Sequence, residues 1–311
     1  MLVLTLNQAE HERVQAHARV SRFRGVRRVT GLASLELMTT STWWHFPLEH
    51  LRADLREVCG RRVAVVTFDQ PDKRNAMSDE MTASWVSLMR ELREDRDLAA
   101  VVVTGAGSAF CSGGDLSWIA SEPDATVIDL RHRMLAFYRA WLSIKALEVP
   151  TIAAINGHAI GAGLGVALAC DIRYAAADAK LGVPFTSLGL HPGMATTWSL
   201  ANVAGLAVAR DLLLTGRLVT GDEALSLGLV SRALPRDEVL AAALAAADGI
   251  AAAAPIATRL TVAALRDGGH ASFHDAIEWE ALAQSVTLAT DDLQEGIAAA
   301  SARRSPDFRG K

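Results

Sequence analysis

The sequence predicts an α/β fold with a helical C-terminal region, and three observations predict it. Short β-branched apolar runs alternate with helix-like segments through the first two thirds of the chain. The last third is Ala-rich, with helix formers and few strand-like runs. Two stretches rich in small residues, 105–114 and 161–165, each follow a buried strand-like run.

Residues 62–69 (RVAVVTFD) read as the first strand, turned by Gln70-Pro71-Asp72. A loop of Lys73-Arg74-Asn75-Ala76-Met77 follows. Ser78 then caps a helix running to about Arg93, with Asp79 and Glu80 in its first turn. Residues 100–104 (AVVVT) form a second buried strand, ending in the stretch Gly105 to Asp115. A helix is expected over about 125–147, closed by Pro150. Strand 152–155 enters a turn at Asn156-Gly157, and a helix begins near Gly161. Residues 172–175 and 180–183 are short strands. Thr220 followed by Glu223 is a capping box. Turns fall at Gly228, Pro235, Pro255 and Gly268-Gly269.

Residues 1–47 read differently. Six Arg and three Glu occur before Met38 without a periodic apolar pattern, so this segment is expected to be a poorly ordered arm, with Met38 as a second plausible start. The expected organisation is the arm at 1–47, an α/β core at 48–250 and a helical region at 251–311.

Half of the 311 residues are apolar, enough for a sizeable core. A net charge of -4 gives no argument for nucleic acid or an anionic membrane surface. The apolar stretches are broken by Asp248, Pro255 or Gly, which argues against a transmembrane helix. Cys59, Cys111 and Cys170 show no metal spacing and cannot all pair, so a reducing, cytoplasmic setting is expected.

The two small-residue turns carry the functional argument. A helix that starts among glycines leaves unpaired N–H groups in the open, at the positive end of its dipole. Two such donors converging on one point bind an oxygen that gains negative charge. The stretch around 161–165 lacks the Gly-x-Gly-x-x-Gly spacing of a dinucleotide site, because position 166 is Val.

On five stretches the sequence resembles the crotonase superfamily, the enoyl-CoA hydratases and isomerases. They are DQPDKRNAMS (69–78), VVVTGAGSAFCSGGDLSW (101–118), 152–184, LGLHPG (188–193) and LTGRLVTGDEALSLGLV (214–230). The resemblance implies a β-β-α spiral, trimers or hexamers, and an acyl-CoA thioester as ligand, with CoA as part of the substrate rather than a cofactor. It assigns the oxyanion hole to the backbone N–H groups of Gly114 and Ala162. Lys73, Arg74 and Ala76 match the stretch that meets the adenine and phosphates of CoA. Ser112, Gly113, Asp115, Leu116, Gly161 and Phe185 are the further substrate-lining candidates. Asp115 also reads as ordering its own loop, and Asp171 reads as structural.

Two departures stand out. Hydratases that this chain resembles carry two glutamates, at the positions of Gly165 and Phe185 here. Without them general acid–base transfer lacks its usual agents. The 4-chlorobenzoyl-CoA dehalogenase branch shares Gly and an aromatic there, but its nucleophilic Asp falls near Gly193. His191 and Tyr138 are the candidates to move protons instead, with His132 and Thr186 behind them. A non-catalytic acyl-CoA-binding protein is the alternative.

Overall fold

The computed structural model describes Trp44 and residues 46–115, 124–266, 270 and 272–311. Most of the expected N-terminal arm, and Leu116 among the site candidates, lie outside these residues. At the arm's end, Trp44 is buried in the core and Phe46 and Leu48 pack against it.

Strands β1 (Leu51–Val58) and β2 (Arg61–Phe68) form an antiparallel hairpin turned by Cys59 and Gly60, both at positive φ. Strand β1 is absent from the sequence expectations. Its residues, LRADLREV, are mostly good helix formers. Pairing with β2, whose Val63, Val65 and Val66 are buried, overrides that preference. β3 (Leu98–Gly105), β5 (Thr151–Ile155), β7 (Ile172–Ala176) and β10 (Arg232–Leu234) continue the sheet in parallel, in the order β1-β2-β3-β5-β7-β10. β3 is buried along its whole length, which is why it is a continuous apolar run rather than an alternating one.

A second, smaller sheet has the order β4-β6-β8-β9, from β4 (Ala109–Cys111), β6 (His158–Ile160), β8 (Lys180–Gly182) and β9 (Val219–Thr220). The chain alternates between the sheets. β3 and β4 lead to helix α2 (Val127–Trp141), β5 and β6 to α3 (Ala162–Ala169), and β7 and β8 to α4 (Thr196–Thr215). This is the β-β-α spiral that the resemblance implies. β4 and β6 hold only three residues each, too few for a periodic pattern, and neither is among the strands the sequence predicts.

Helix α1 (Asp79–Glu94) starts where Ser78 Oγ accepts the Met81 N–H. It buries Met81, Trp85, Leu88, Met89 and Leu92, each worth about 1.5–3 kcal/mol of apolar transfer. Trp85 stacks on Trp141 at 5.1 Å, and Phe68 joins both rings. The helix expected over 125–147 ends earlier, at Trp141, and tightens into a 3-10 turn over Leu142–Ala146.

Helix α5 (Gly221–Ser226) shows half of the expected capping box. Thr220 Oγ1 accepts the Glu223 N–H, while the Glu223 carboxylate pairs with Arg217 at 2.7 Å. Helices α6 (Val239–Ala251), α7 (Pro255–Leu265), α8 (Phe273–Leu288) and α9 (Asp291–Ala302) fill the C-terminal region. α6 packs on the large sheet. Beyond α7, Arg266 bonds both carboxylate oxygens of Asp171 and accepts no freedom there, since it also donates to Lys145, Leu147 and Val149 carbonyls. Asp171 in turn accepts the Thr151 N–H and hydroxyl. The residue is structural, as its sequence context indicated. α8 buries none of its side chains.

Candidate functional site

Both small-residue turns lie where the chain passes between the two sheets. β4 and β6 pair in parallel, Ala109 with His158 and Cys111 with Ala159, which draws the turns after them together. A Cβ placed on Gly113 would lie 2.8 Å from the Ile160 oxygen and 3.2 Å from the Ala162 nitrogen. Only glycine, here at φ +95, permits that approach. Ala162 is the first residue of α3, so its N–H has no acceptor within the helix. Gly161 precedes it at φ +57 and donates its own N–H to Gly182 at 2.8 Å. Among the described residues no hydrogen bond from the Gly114 amide is present.

The loop 73–77 is laced to the same place. Ser112 donates its N–H to Arg74, and Met77 donates to Gly113 at 2.9 Å. Buried Asn75 locks the loop: its amide donates to the Ala106, Ala109 and Phe110 carbonyls, and its oxygen accepts from Gln70 N–H. Arg74 and Asn75 both sit at positive φ, a costly pair held by those bonds. Lys73 and Arg74 are exposed, and among the described residues neither side chain has a hydrogen bond or ion pair. Ala76, Ser112, Gly114 and Asp115 are half-buried beside them. The sequence reading assigned Asn75 no role. An Asn between two turn residues is the one signal it carried.

Behind the turns, the wall is apolar. A Cβ on Gly165 would lie 2.7 Å from Met194 Cβ, so Met194 fills the space that a side chain at 165 would need. The Phe185 ring faces Gly161, with a Cβ there falling 3.7 Å from its Cζ. Met194 is fully buried and was not singled out in the sequence, because nothing local ties it to Gly165.

The four proton-transfer candidates separate. Tyr138, on α2, reaches Gly193: a Cβ on Gly193 would lie 2.5 Å from the phenol oxygen. Among the described residues that hydroxyl donates only to Met134 Sδ, at 3.9 Å, which is a weak bond. Burial raises the phenol above its ordinary pKa, so it stays protonated at neutral pH and can donate but not act as a base. His191 is exposed and its Nδ1 lies 2.8 Å from the Pro192 oxygen on its own loop. Thr186 donates to the Leu213 carbonyl, and His132 is exposed on α2. The structure therefore brings Tyr138, Gly193, Met194 and Gly165 into one cluster and leaves His191, Thr186 and His132 outside it. Cys111, beneath the first turn, is pushed up to about 12 by burial and donates to the Asn75 oxygen, a packing role rather than a nucleophilic one.

A β-β-α spiral with two glycine-permitted turns abutting at the junction of its sheets defines the crotonase class. The chain belongs to the enoyl-CoA hydratase/isomerase family, whose sequence model matches residues 59–311. It is 35% identical over 250 residues to a protein named probable enoyl-CoA hydratase echA8 of Mycobacterium bovis, covering 80% of this chain and 95% of that one. It is 32% identical over 252 residues to the 2,3-dehydroadipyl-CoA hydratase of Escherichia coli, covering 81% and 96%. The crystal structure of an enoyl-CoA hydratase from Bacillus anthracis superposes with a TM-score of 0.78 at 30% identity, covering 85% of this chain and 100% of the other.

Proposed function

We propose that this chain acts on an acyl-CoA thioester, with the Gly114 and Ala162 N–H groups receiving the thioester oxygen as charge develops on it. The observation that carries the reading is the abutment of the two turns, with Gly113 against the Ala162 nitrogen. Each such donor is worth about 10²–10³-fold in turnover. Lys73 and Arg74 stand at the rim as unpaired cations suited to the CoA phosphates, and CoA enters as part of the substrate. The relatives' names, which specify CoA thioesters, support the substrate class.

The acid–base chemistry differs from that of a two-glutamate hydratase. Gly165 and Phe185 stand at the glutamate positions, and Met194 closes the first of them. Water poised there would lose its polar partners. Tyr138, held neutral, is the donor beside this wall: it hands its proton to the α-carbon of an enolate formed when a nucleophile adds to an enoyl thioester, and the phenolate left behind takes a proton from water. A second reading, binding without turnover, draws on the same Met194 plug. Absorbance of crotonyl-CoA separates the two. Hydration is expected to run at least about 10³-fold slower than in a two-glutamate enzyme. Tyr138→Phe is expected to lower any measured turnover of the best thioester found by mass-spectrometric screening by about 10²-fold. Ordinary hydratase rates would overturn the reading, and turnover untouched by Tyr138→Phe would remove the phenol from it.

We infer further that the chain works in the cytoplasm as a trimer or hexamer. Helix α8 leaves Phe273 82% exposed, with Ile277, Leu282, Val286 and Leu288 also open, an apolar face that a second copy would cover. Light scattering at micromolar concentration is expected to give three or six chains, and a monomer would contradict it.

A further inference from the structure

A cavity lies at the opposite end of the large sheet from the candidate site. The turns discussed above follow the C-terminal ends of the parallel strands. This cavity instead opens beside Cys59 and Gly60, before β2, and Arg96 and Asp97, before β3. Strands of this length separate the two by roughly 25 Å, at about 3.3 Å per residue. Its volume is about 420 Å³, within the range of small-molecule sites. The start of α7 (Pro255, Ile256, Arg259) and the C-terminal tail (Asp307 to Gly310) complete its wall.

The charges in this wall do not balance locally. Asp97 is engaged by Arg62 at 3.2 Å, and Asp307 by Arg309 at 2.9 Å. The buried Asp292 behind the tail is engaged by the Arg309 and Gly310 N–H groups. Among the described residues Arg61, Arg96 and Arg259 form no ion pair, although the Asp292 charge lies near enough to favour the charged form of Arg61. Arg61 is anchored by donating to the Ala251 and Ala253 carbonyls at the end of α6, and Arg259 by donating to the Arg96 carbonyl. Arg259 Nε is buried with no partner. The Arg96 side chain has no hydrogen bond or ion pair among the described residues. Arg61 and Arg259 sit close enough to repel: burial, and then the Arg259 charge, lower the Arg61 pKa. Arg61 and Arg259 both line the cavity, and the backbone bonds that fix them leave Nη1 of each without a partner among the described residues, a pair of donors suited to an oxyanion. Pro255, Ile256 and Phe308 offer an apolar surface beside them.

We propose that this cavity binds a phosphate monoester, its phosphate on Arg61, Arg96 and Arg259 and its apolar or aromatic body against Phe308 and Ile256. Occupancy would tie the C-terminal tail to the β1–β2 turn. The proposal is independent of the acyl-CoA reading, because it uses none of its residues.

Cys59 reports on the site directly. It lines the cavity and is exposed, whereas Cys111 and Cys170 are buried. The full chain is treated with iodoacetamide, and modification of Cys59 is followed by peptide mass spectrometry with millimolar phenyl phosphate, inorganic phosphate or chloride at matched ionic strength. Phenyl phosphate is expected to slow modification at least threefold and to raise the thermal midpoint. Arg96→Ala is expected to abolish both effects while leaving the unliganded midpoint unchanged, because that side chain holds nothing in the fold. Equal protection by inorganic phosphate would assign the arginines to free phosphate and support the site without the organic body. Unchanged Cys59 modification with both probes, or equal protection in Arg96→Ala, would overturn the proposal.

Discussion

Gly113 and Gly165 both belong to small-residue stretches, the first in the turn after β4 and the second inside helix α3. Their surroundings differ completely. At Gly113 the missing side chain lets one turn approach the backbone nitrogen of Ala162. At Gly165 it makes room for Met194. One glycine lets two turns meet, and the other admits an apolar plug. A glycine in a sequence marks a place where something comes close. What comes close depends on a partner distant in the chain.

This contrast can be broken at each end. Gly114→Pro, beside Gly113, removes one of the two N–H donors. Turnover of an accepted acyl-CoA, or affinity if turnover is absent, is expected to fall by about 10²–10³-fold. Circular dichroism is expected to show the fold retained. Undiminished activity would mean that the abutting turns are only a packing feature.

Gly165→Glu sharpens the other end. The new Cβ meets Met194 Cβ at 2.7 Å, so the variant is expected to lose about 1–3 kcal/mol of stability to overpacking. It gains no crotonyl-CoA hydration. Adding Met194→Gly is expected to restore part of the thermal midpoint. If Gly165→Glu alone is as stable as the parent chain in urea, Met194 does not hold that space.

The smallest effect concerns the clamp outside the site. The Asp171 carboxyl is burdened by burial, yet Arg266 and Thr151 outweigh this and hold it below its ordinary range. A carboxyl depressed in the folded state adds stability above its unfolded pKa, about 3.9, and loses it as pH falls through the folded value. With the pair partly exposed, Arg266→Ala is expected to cost about 1–2 kcal/mol at pH 7. Urea titrations are expected to show the gap to the parent chain narrowing below about pH 4. A gap that stays constant down to pH 3 would assign the loss to the Arg266 bonds with backbone carbonyls alone.

What the sequence by itself determined is what rests on local chemistry. Valine runs in 62–69 and 100–104 could only be buried strands, because their side chains leave no solvent face. Ser78 and Thr220 announced helix starts through a hydroxyl that reaches an N–H three residues on. The small residues at 112–114 and 161–163 showed where a backbone had to be approached. Tertiary structure decided the rest. Strand β1 exists because β2 offers it a ladder stronger than its own helical preference. β4 and β6 are too short to carry a pattern and are strands only by pairing with each other. Tyr138 and His191 looked alike as proton donors until α2 set the phenol against Gly193 and the loop left the imidazole exposed. Met194 and the arginine-lined cavity were invisible for the same physical reason. Packing and the repulsion of like charges depend on distances between residues far apart in the chain, and those distances exist only once the chain has folded.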